Sequence, residues 1–398
     1  MNAQISFLDG TFTLIHVPLD LYSALLQPIL RVLLPQTQSL DALRETVECA
    51  LEGLTTENQH GFLNISVTPI ECSIVCHSTW ADKVFQPVID ALPGEQARTV
   101  TVFKDTYMVL SVISAGLEAA GRVMELSSPL ALAGIPIFFI TTYYSDFILV
   151  PSKARHSVIK ALSERGFELS ENQSNFVNSS SSYAAYGRKN SASSSAGSPP
   201  PGTPPPSDAQ ELQTRTFDLM QKRNVTPYVD DGLQLVQCSG REISQLADVY
   251  GHRLSVGRQT HHPPERRNSW IENVDTKLYT SIISALVSRP RFLSLTLAQD
   301  DPPSLLLDRK LLPLFGDSIV GDTDSNFVPI FLDLVNLPSE VTGIVCGVAG
   351  RLVEDMHLTE TFELSYLSTA RAGAVILTEE QSTRALAILA PLLKTEDD

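Results

Sequence analysis

Residues 135–162 read IPIFFITTYYSDFILVPSKARHSVIKAL, a run that carries two strands, the turn between them and a helix without interruption. Ile135 to Ile140 is apolar and aromatic and of strand length. Ser145 and Asp146 interrupt it before a second such segment, Phe147 to Val150, which stops at Pro151. From Arg155 the period changes: Val158, Ile159 and Leu162 recur at helical spacing, and Gly166 stands where a helix C-cap belongs.

The same order returns near the C-terminus. Phe362 to Leu367 leads through Ser368, Thr369 and small residues up to Gly373, then to Val375 to Leu377 and a helix carrying Ala385, Leu386 and Leu389. Asp146 aligns with Gly373 at an offset of 227 residues, and Leu149 aligns with Ile376. A repeat of this size points to duplication of a small α+β unit and not to a short-period solenoid.

Working outward, the chain divides into four β-α-β-β-α units. The first, 1–95, has strands at Phe12 to His16, Phe62 to Val67 and Ile70 to Cys76, helices at Leu21 to Leu33 and Val84 to Leu92, and a polar, acidic insertion over 38–60. The second, 99–172, opens with Met108 to Ile113 and an Ala- and Leu-rich helix from Gly116 to Ala133 that contains Pro129, then continues into the quoted stretch. The third, 228–318, has strands at Leu233 to Cys238, Phe292 to Leu297 and Leu305 to Leu307, with a helix at Lys277 to Val287. The fourth, 326–395, has a strand at Val328 to Val335, a Gly-containing helix from about Glu340 to Glu354, and the repeated strand pair and helix. Between the halves, 173–225 reads as a disordered Ser/Pro-rich linker, with AGSPPPGTPPPSD at its centre, because it cannot bury enough apolar surface to offset the entropy of ordering. Ser191, Ser198 and Thr203 leave phosphoregulation of that tether open.

With 398 residues and 43% apolar content, the chain suits several small cores. A net charge of −16 argues against nucleic-acid and anionic-membrane partners, which need clustered Lys and Arg. The N-terminus lacks the order of a signal peptide and no apolar run reaches spanning length, so a cytoplasmic protein without membrane insertion is expected. Five scattered cysteines suit reduced thiols. Cys72, Cys76 and His77 suggest a metal, yet the two cysteines share one strand face with Ile74 and have no second ligand pair, so core packing is expected and no metal. His261 and His262 fall in a basic, Pro-containing loop and are expected in solvent. No phosphate loop, GxSxG elbow, HExxH or dinucleotide fingerprint is present, so neither catalysis nor a cofactor is expected. Asp146 reads as a turn cap.

Four such units in two halves, with Tyr143, Asp146, Phe147, Ile148, Leu149 and Val150 in the second and Gly343, Ile344 and Val345 at a helix start in the fourth, resemble the CASTOR (GATS-like) family of tandem ACT-domain amino-acid sensors. The resemblance implies an α+β chain of four tandem ACT-like domains of ferredoxin-like βαββαβ order. In that family the second and fourth units enclose one arginine, the first and third mediate homodimerisation, and occupancy controls a regulator of the TOR kinase pathway. Transferred here, the ligand site falls on Glu125, Leu126 and Ser127, on Gly343, Ile344, Val345, Gly347 and Gly350, and on Thr369, Ala370 and Gly373. The partner surface falls on Tyr143, Tyr144 and Asp146.

The two acidic positions that hold the guanidinium are Gly350 and Gly373 in this chain. A buried charge left without its partner costs about 3–5 kcal/mol, which makes arginine a doubtful ligand. Arg351 and Arg371 stand nearby, so a pocket of reversed polarity taking an acidic or neutral amino acid is one expectation. Independently of the resemblance, a glycine-bearing helix start at Gly343 to Gly347 suits a carboxylate, although helix packing would select the same glycines. Three readings follow: an amino-acid-responsive ACT regulator of a protein partner in nutrient signalling, a ligand-independent ACT scaffold, or the allosteric subunit of a biosynthetic enzyme.

Overall fold

The computed structural model describes residues 4–34, 61–113, 121–170, 208–241, 275–298, 301–338, 340–357 and 364–394. Cys49, Gly116, His261, His262, the acidic insertion and most of the expected linker lie outside them.

The first block contributes β1 (Gln4–Phe7), β2 (Phe12–Val17), α1 (Tyr22–Leu33), β3 (Phe62–Val67), β4 (Cys72–His77) and a helical run over 78–90. The second contributes β5 (Thr101–Val102), β6 (Tyr107–Ile113), α2 (Arg122–Leu132), β7 (Phe138–Thr141), β8 (Asp146–Pro151), α3 (Arg155–Glu164) and β9 (Glu168–Ser170). After α4 (Ala209–Lys222) and β10 (Pro227–Val229), the third holds β11 (Leu235–Gly240), α5 (Thr276–Val287), β12 (Leu293–Ala298), β13 (Ser304–Asp308) and β14 (Ile319–Val320). The fourth holds β15 (Phe327–Asp333), α6 (Ile344–Met356), β16 (Ser365–Ser368), β17 (Ala372–Thr378) and α7 (Glu379–Leu393).

The strands and helices expected from periodicity are present among the described residues, with β1, β5, β9, β10, β14 and α4 in addition, but the expectation of four tandem ferredoxin-like domains is overturned. Twelve antiparallel strands close into one barrel in the order β2-β6-β8-β7-β16-β17-β15-β11-β13-β12-β3-β4 and back to β2. Strands that would end separate sheets pair with strands of another block: β3 with β12 over six residues, β7 with β16 at Ile140 and Leu367, β2 with β6 at Phe12 and Tyr107, and β11 with β15 at Leu235 and Phe327. Closure removes unpaired edges, each of which would leave a row of N–H and C=O groups unsatisfied. β1, β5, β9, β10 and β14 extend the barrel at its junctions.

The barrel is filled. Phe12, Phe62, Phe147, Phe292 and Phe331 meet inside it with Leu149, Leu235 and Ile376. A second core lies under α2, α3, α4, α6 and α7, and a third under α1, the 78–90 run and α5. Cys72 and Cys76 are buried in the third beside Ile74.

The linker boundary needs correction as well. Residues 209–222 form α4, whose cap Asp208 accepts from the Glu211 N–H at 2.8 Å and whose Leu212, Thr216, Phe217 and Met220 are buried. Those residues recur at helical spacing, so this end of the polar stretch carries an apolar face that ties it to the fourth block. Among the described residues, no helix is long and apolar enough to cross a membrane.

Candidate functional site

The offset of 227 that relates the repeats maps Ile140 onto Leu367, and these residues are the pair at which β7 and β16 meet. A local two-fold axis follows. The Phe139 N–H donates to Ser368 Oγ at 2.9 Å, and the equivalent Tyr366 N–H donates to Thr141 Oγ1 at 3.0 Å. The turns obey the same relation: Thr142 N–H to Ser145 O is 3.0 Å and Thr369 N–H to Ala372 O is 2.8 Å. One pocket lies on either side of the axis.

The first pocket lies between α2 and β7 on one side and the start of α6 with β16 on the other. It encloses about 70 Å³, room for roughly five to seven water-sized atoms, which is the scale of a small amino acid. Its wall is mostly apolar, with Phe138, Leu334 and Ala370 among the contributors, and no charged side chain is among the described residues that line it. Gly343 to Cys346 line one end, where first-turn N–H groups have no partner within the helix and the dipole favours an anion. Tyr366 lines the floor; its hydroxyl is buried and has no hydrogen-bond partner among the described residues. Burial pushes that phenol well above its ordinary range.

Of the residues the sequence nominates, Ser127, Gly343, Ile344, Val345, Thr369 and Ala370 converge on this cavity. Ser127 is already bonded, its Oγ donating to Val123 O at 2.5 Å. Glu125, Leu126, Gly347, Gly350 and Gly373 do not line it: Leu126 belongs to the helix-covered core, and Glu125 lies on the partly exposed side of α2. Packing explains the glycines. A Cβ on Gly343, whose φ is +91°, would stand 2.7 Å from Thr216 Oγ1 and 2.8 Å from Leu212 Cδ1. One on Gly347 would meet Thr216 at 3.3 Å, and one on Gly350 would meet Met124 Sδ at 3.3 Å. Helix α4 therefore leaves no room for a side chain at 343 and crowds one at 347. At Gly373 a Cβ would be 2.5 Å from the Tyr366 hydroxyl, so the tyrosine fills the space that a side chain there would take. Arg351 pairs with Asp355 at 2.7 Å, and the Arg371 guanidinium donates to Thr101 Oγ1 at 3.0 Å. Neither lines the cavity, so the expected reversal of its polarity is not seen.

The turn above the cavity is held by residues the sequence reading did not single out. Glu71, fully buried, accepts from the Thr369 hydroxyl at 2.6 Å and the Arg371 N–H at 2.6 Å through one oxygen, and its other oxygen lies 2.5 Å from His16 Nδ1. The Ala370 N–H donates to Ser73 Oγ at 3.1 Å. A lone acid between apolar strands was the available signal; its partners lie almost 300 positions away.

The second pocket, about 400 Å³, is polar and surrounds the 142–145 turn. Tyr143 and Tyr144 are 38% and 44% exposed, with ring centroids 4.8 Å apart. Asp146 is 1% exposed and ion-paired to Arg122 at 2.6 Å. Burial pushes its carboxyl up to about 6, against the pull of Arg122 and Thr141. Of the three residues expected at a partner surface, Asp146 is thus an interior anchor.

An ACT domain is found at residues 102–164, the segment from the end of β5 to the end of α3. No curated protein matches the chain. Among solved structures, a protein from Agobacterium tumefaciens is 20% identical over 44% of this chain and 96% of its own, with a TM-score of 0.26. Aspartate kinase from Synechocystis is 12% identical over 99% of this chain and 57% of its own, with a TM-score of 0.30. A Vibrio cholerae protein of unknown function, described as a possible transport protein, is 14% identical over 41% and 88%, with a TM-score of 0.21. All three likenesses are distant in both sequence and superposition.

Proposed function

We propose that this chain is a non-catalytic regulatory protein that binds a small neutral amino acid in the apolar cavity between its ACT domain and the two-fold-related block. The observation that carries the reading is the Tyr366 hydroxyl, buried in the cavity floor without a partner. An unsatisfied buried hydroxyl costs about 1–3 kcal/mol, and a ligand polar group would remove that cost. The α-carboxylate meets the first-turn N–H groups of α6, and the ligand side chain lies against Phe138 and Leu334. Arginine would bring a guanidinium into a wall with no carboxylate and binds weakly or not at all.

The resemblance of Tyr143 to Val150 to the CASTOR family supports an output in nutrient signalling through the TOR pathway, in the cytoplasm, with a protein partner at the exposed Tyr143–Tyr144 turn. It also supports a homodimer formed through the first and third blocks.

Calorimetry of the full chain against alanine, valine, leucine and arginine tests the ligand. Saturable binding of a neutral amino acid, weakened by Tyr366→Phe and abolished by Ala370→Phe, is the expected result, accompanied by a ligand-dependent rise in melting temperature. Silence with all four would leave a ligand-independent scaffold as the better reading.

A further inference from the structure

We propose that the polar pocket around Arg122 and Asp146 is a second ligand site, built for a polar zwitterionic amino acid. It is the two-fold counterpart of the apolar cavity, yet its chemistry is the opposite. Tyr366 lines the apolar cavity with Gly373 packed against its hydroxyl; at the equivalent positions Asp146 lines the polar pocket and Phe139 belongs to the helix-covered core. A carboxylate thus replaces a phenol, and the space is several times larger.

The groups facing this space define what fits. Arg122 stands at the start of α2 and is mostly buried; Asp146 is its only partner recorded among the described residues, and that contact uses Nε. Arg122 lines the pocket, and its guanidinium is the planar fork that matches a carboxylate. Across the opening, Asp322 is oriented by the Asp324 N–H at 3.0 Å and the Ser325 hydroxyl at 2.5 Å, and these bonds hold its carboxyl below the usual range. Gln237 and Ser145 add neutral polar groups to the wall.

A simple anion would meet two aspartates, and a simple cation would meet Arg122. A zwitterion satisfies both walls, with its carboxylate on the Arg122 fork and its ammonium towards Asp322. Because the floor belongs to the second block and the opposite wall to the β11 and β14–β15 region, an occupant bridges the ACT domain to the third and fourth blocks. It would also stiffen the turn that presents Tyr143 and Tyr144.

Calorimetry of the full chain with glutamine and with glutamate tests the assignment. The expected result is saturable binding of at least one of them to the wild type, weakened at least tenfold by Asp322→Ala, a substitution on an exposed loop that leaves the fold intact. Arg122→Gln should weaken it further. Ala370→Phe, which blocks the apolar cavity, should leave it unchanged. Absence of heat from both probes at millimolar concentration, retained affinity in Asp322→Ala, or loss in Ala370→Phe would each overturn the proposal. Leucine binding that disappears only in Ala370→Phe reports the other cavity, so the two readings fail separately.

Discussion

The turns at 142–145 and 369–372 share one backbone geometry and differ in where their buried negative charge comes from. At 369–372 the carboxylate is supplied from outside: Glu71, in the turn between β3 and β4, accepts from Thr369 and Arg371 and contacts His16. At 142–145 it is internal: Asp146 follows the turn directly and pairs with Arg122. Across to the third block, the Tyr143 N–H of that turn donates to Ser304 Oγ at 2.9 Å. The residue pair behind each turn is exchanged accordingly, Gly373 with Tyr366 against Asp146 with Phe139. A duplicated loop can keep its shape while one copy becomes a clamp between blocks and the other stays open beside a polar pocket. What changed is the source of charge, because a buried carboxylate must find donors wherever the packing provides them.

The largest effect in breaking this contrast is expected from Glu71→Ala. It strands the Arg371 N–H and His16 in a buried site and leaves the Thr369 hydroxyl only its longer bond to Ala372 O at 3.3 Å, a loss of about 3–5 kcal/mol, read as a fall in melting temperature on the order of 10 °C. Amide exchange at Thr369 and Arg371 should accelerate, while exchange at Thr142 should not.

Asp146→Asn comes next and carries a pH signature. The carboxyl is raised from its ordinary 3.8 to about 6, mainly by burial, so the folded chain holds this proton more tightly than the unfolded chain. The stability this group contributes is full below about pH 4 and is lost as pH rises through about 6, on the order of 3 kcal/mol in total. The asparagine variant lacks that loss. Its melting temperature relative to wild type should climb from pH 4 to pH 7, and a difference independent of pH would reject the assignment.

Gly373→Asp sharpens the comparison by placing the aspartate that follows the 142–145 turn behind the 369–372 turn. Its Cβ falls 2.5 Å from the Tyr366 hydroxyl, and overpacking of this kind costs about 1–3 kcal/mol. Combining it with Tyr366→Phe reproduces the Asp146–Phe139 pair and should recover most of the loss. A double-mutant cycle with strictly additive terms would show that the two positions do not compete for one space.

The smallest effect is expected at the open turn. Tyr144→Ala should change stability by no more than about 0.5 kcal/mol, because the ring is 44% exposed. Urea unfolding of that variant beside Glu71→Ala measures the asymmetry between the two turns directly.

Much of the local structure was legible from residue patterns. Alternation and apolar runs located β2, β3, β6, β8 and β17, helical spacing located α1, α3 and α5, and the repeat aligned Asp146 with Gly373, which the two-fold at Ile140 and Leu367 reproduces. The second unit, read over 99–172, contains the ACT domain at 102–164. Six of the eleven nominated ligand positions reach the cavity, five of them at a strand end or a helix start, where sequence signals are strongest. The misses have a common origin. α4 was hidden by the composition of its neighbourhood, and the glycines at 343 and 347 answer to Thr216 and Leu212 of that unseen helix.

The sequence by itself determined the strands and helices of clear period, the lack of a carboxylate at 350 and 373, and the buried character of Cys72 and Cys76. Each of these depends on residues within a few turns or strands of one another, where spacing alone dictates which side chains share a face. Only the tertiary structure decided that the strands close into one barrel, that Tyr366 fills the space at Gly373, and that Glu71 reaches Thr369 across 298 positions. Edge strands and buried charges take whichever partner three-dimensional packing brings to them, and no local period records that choice.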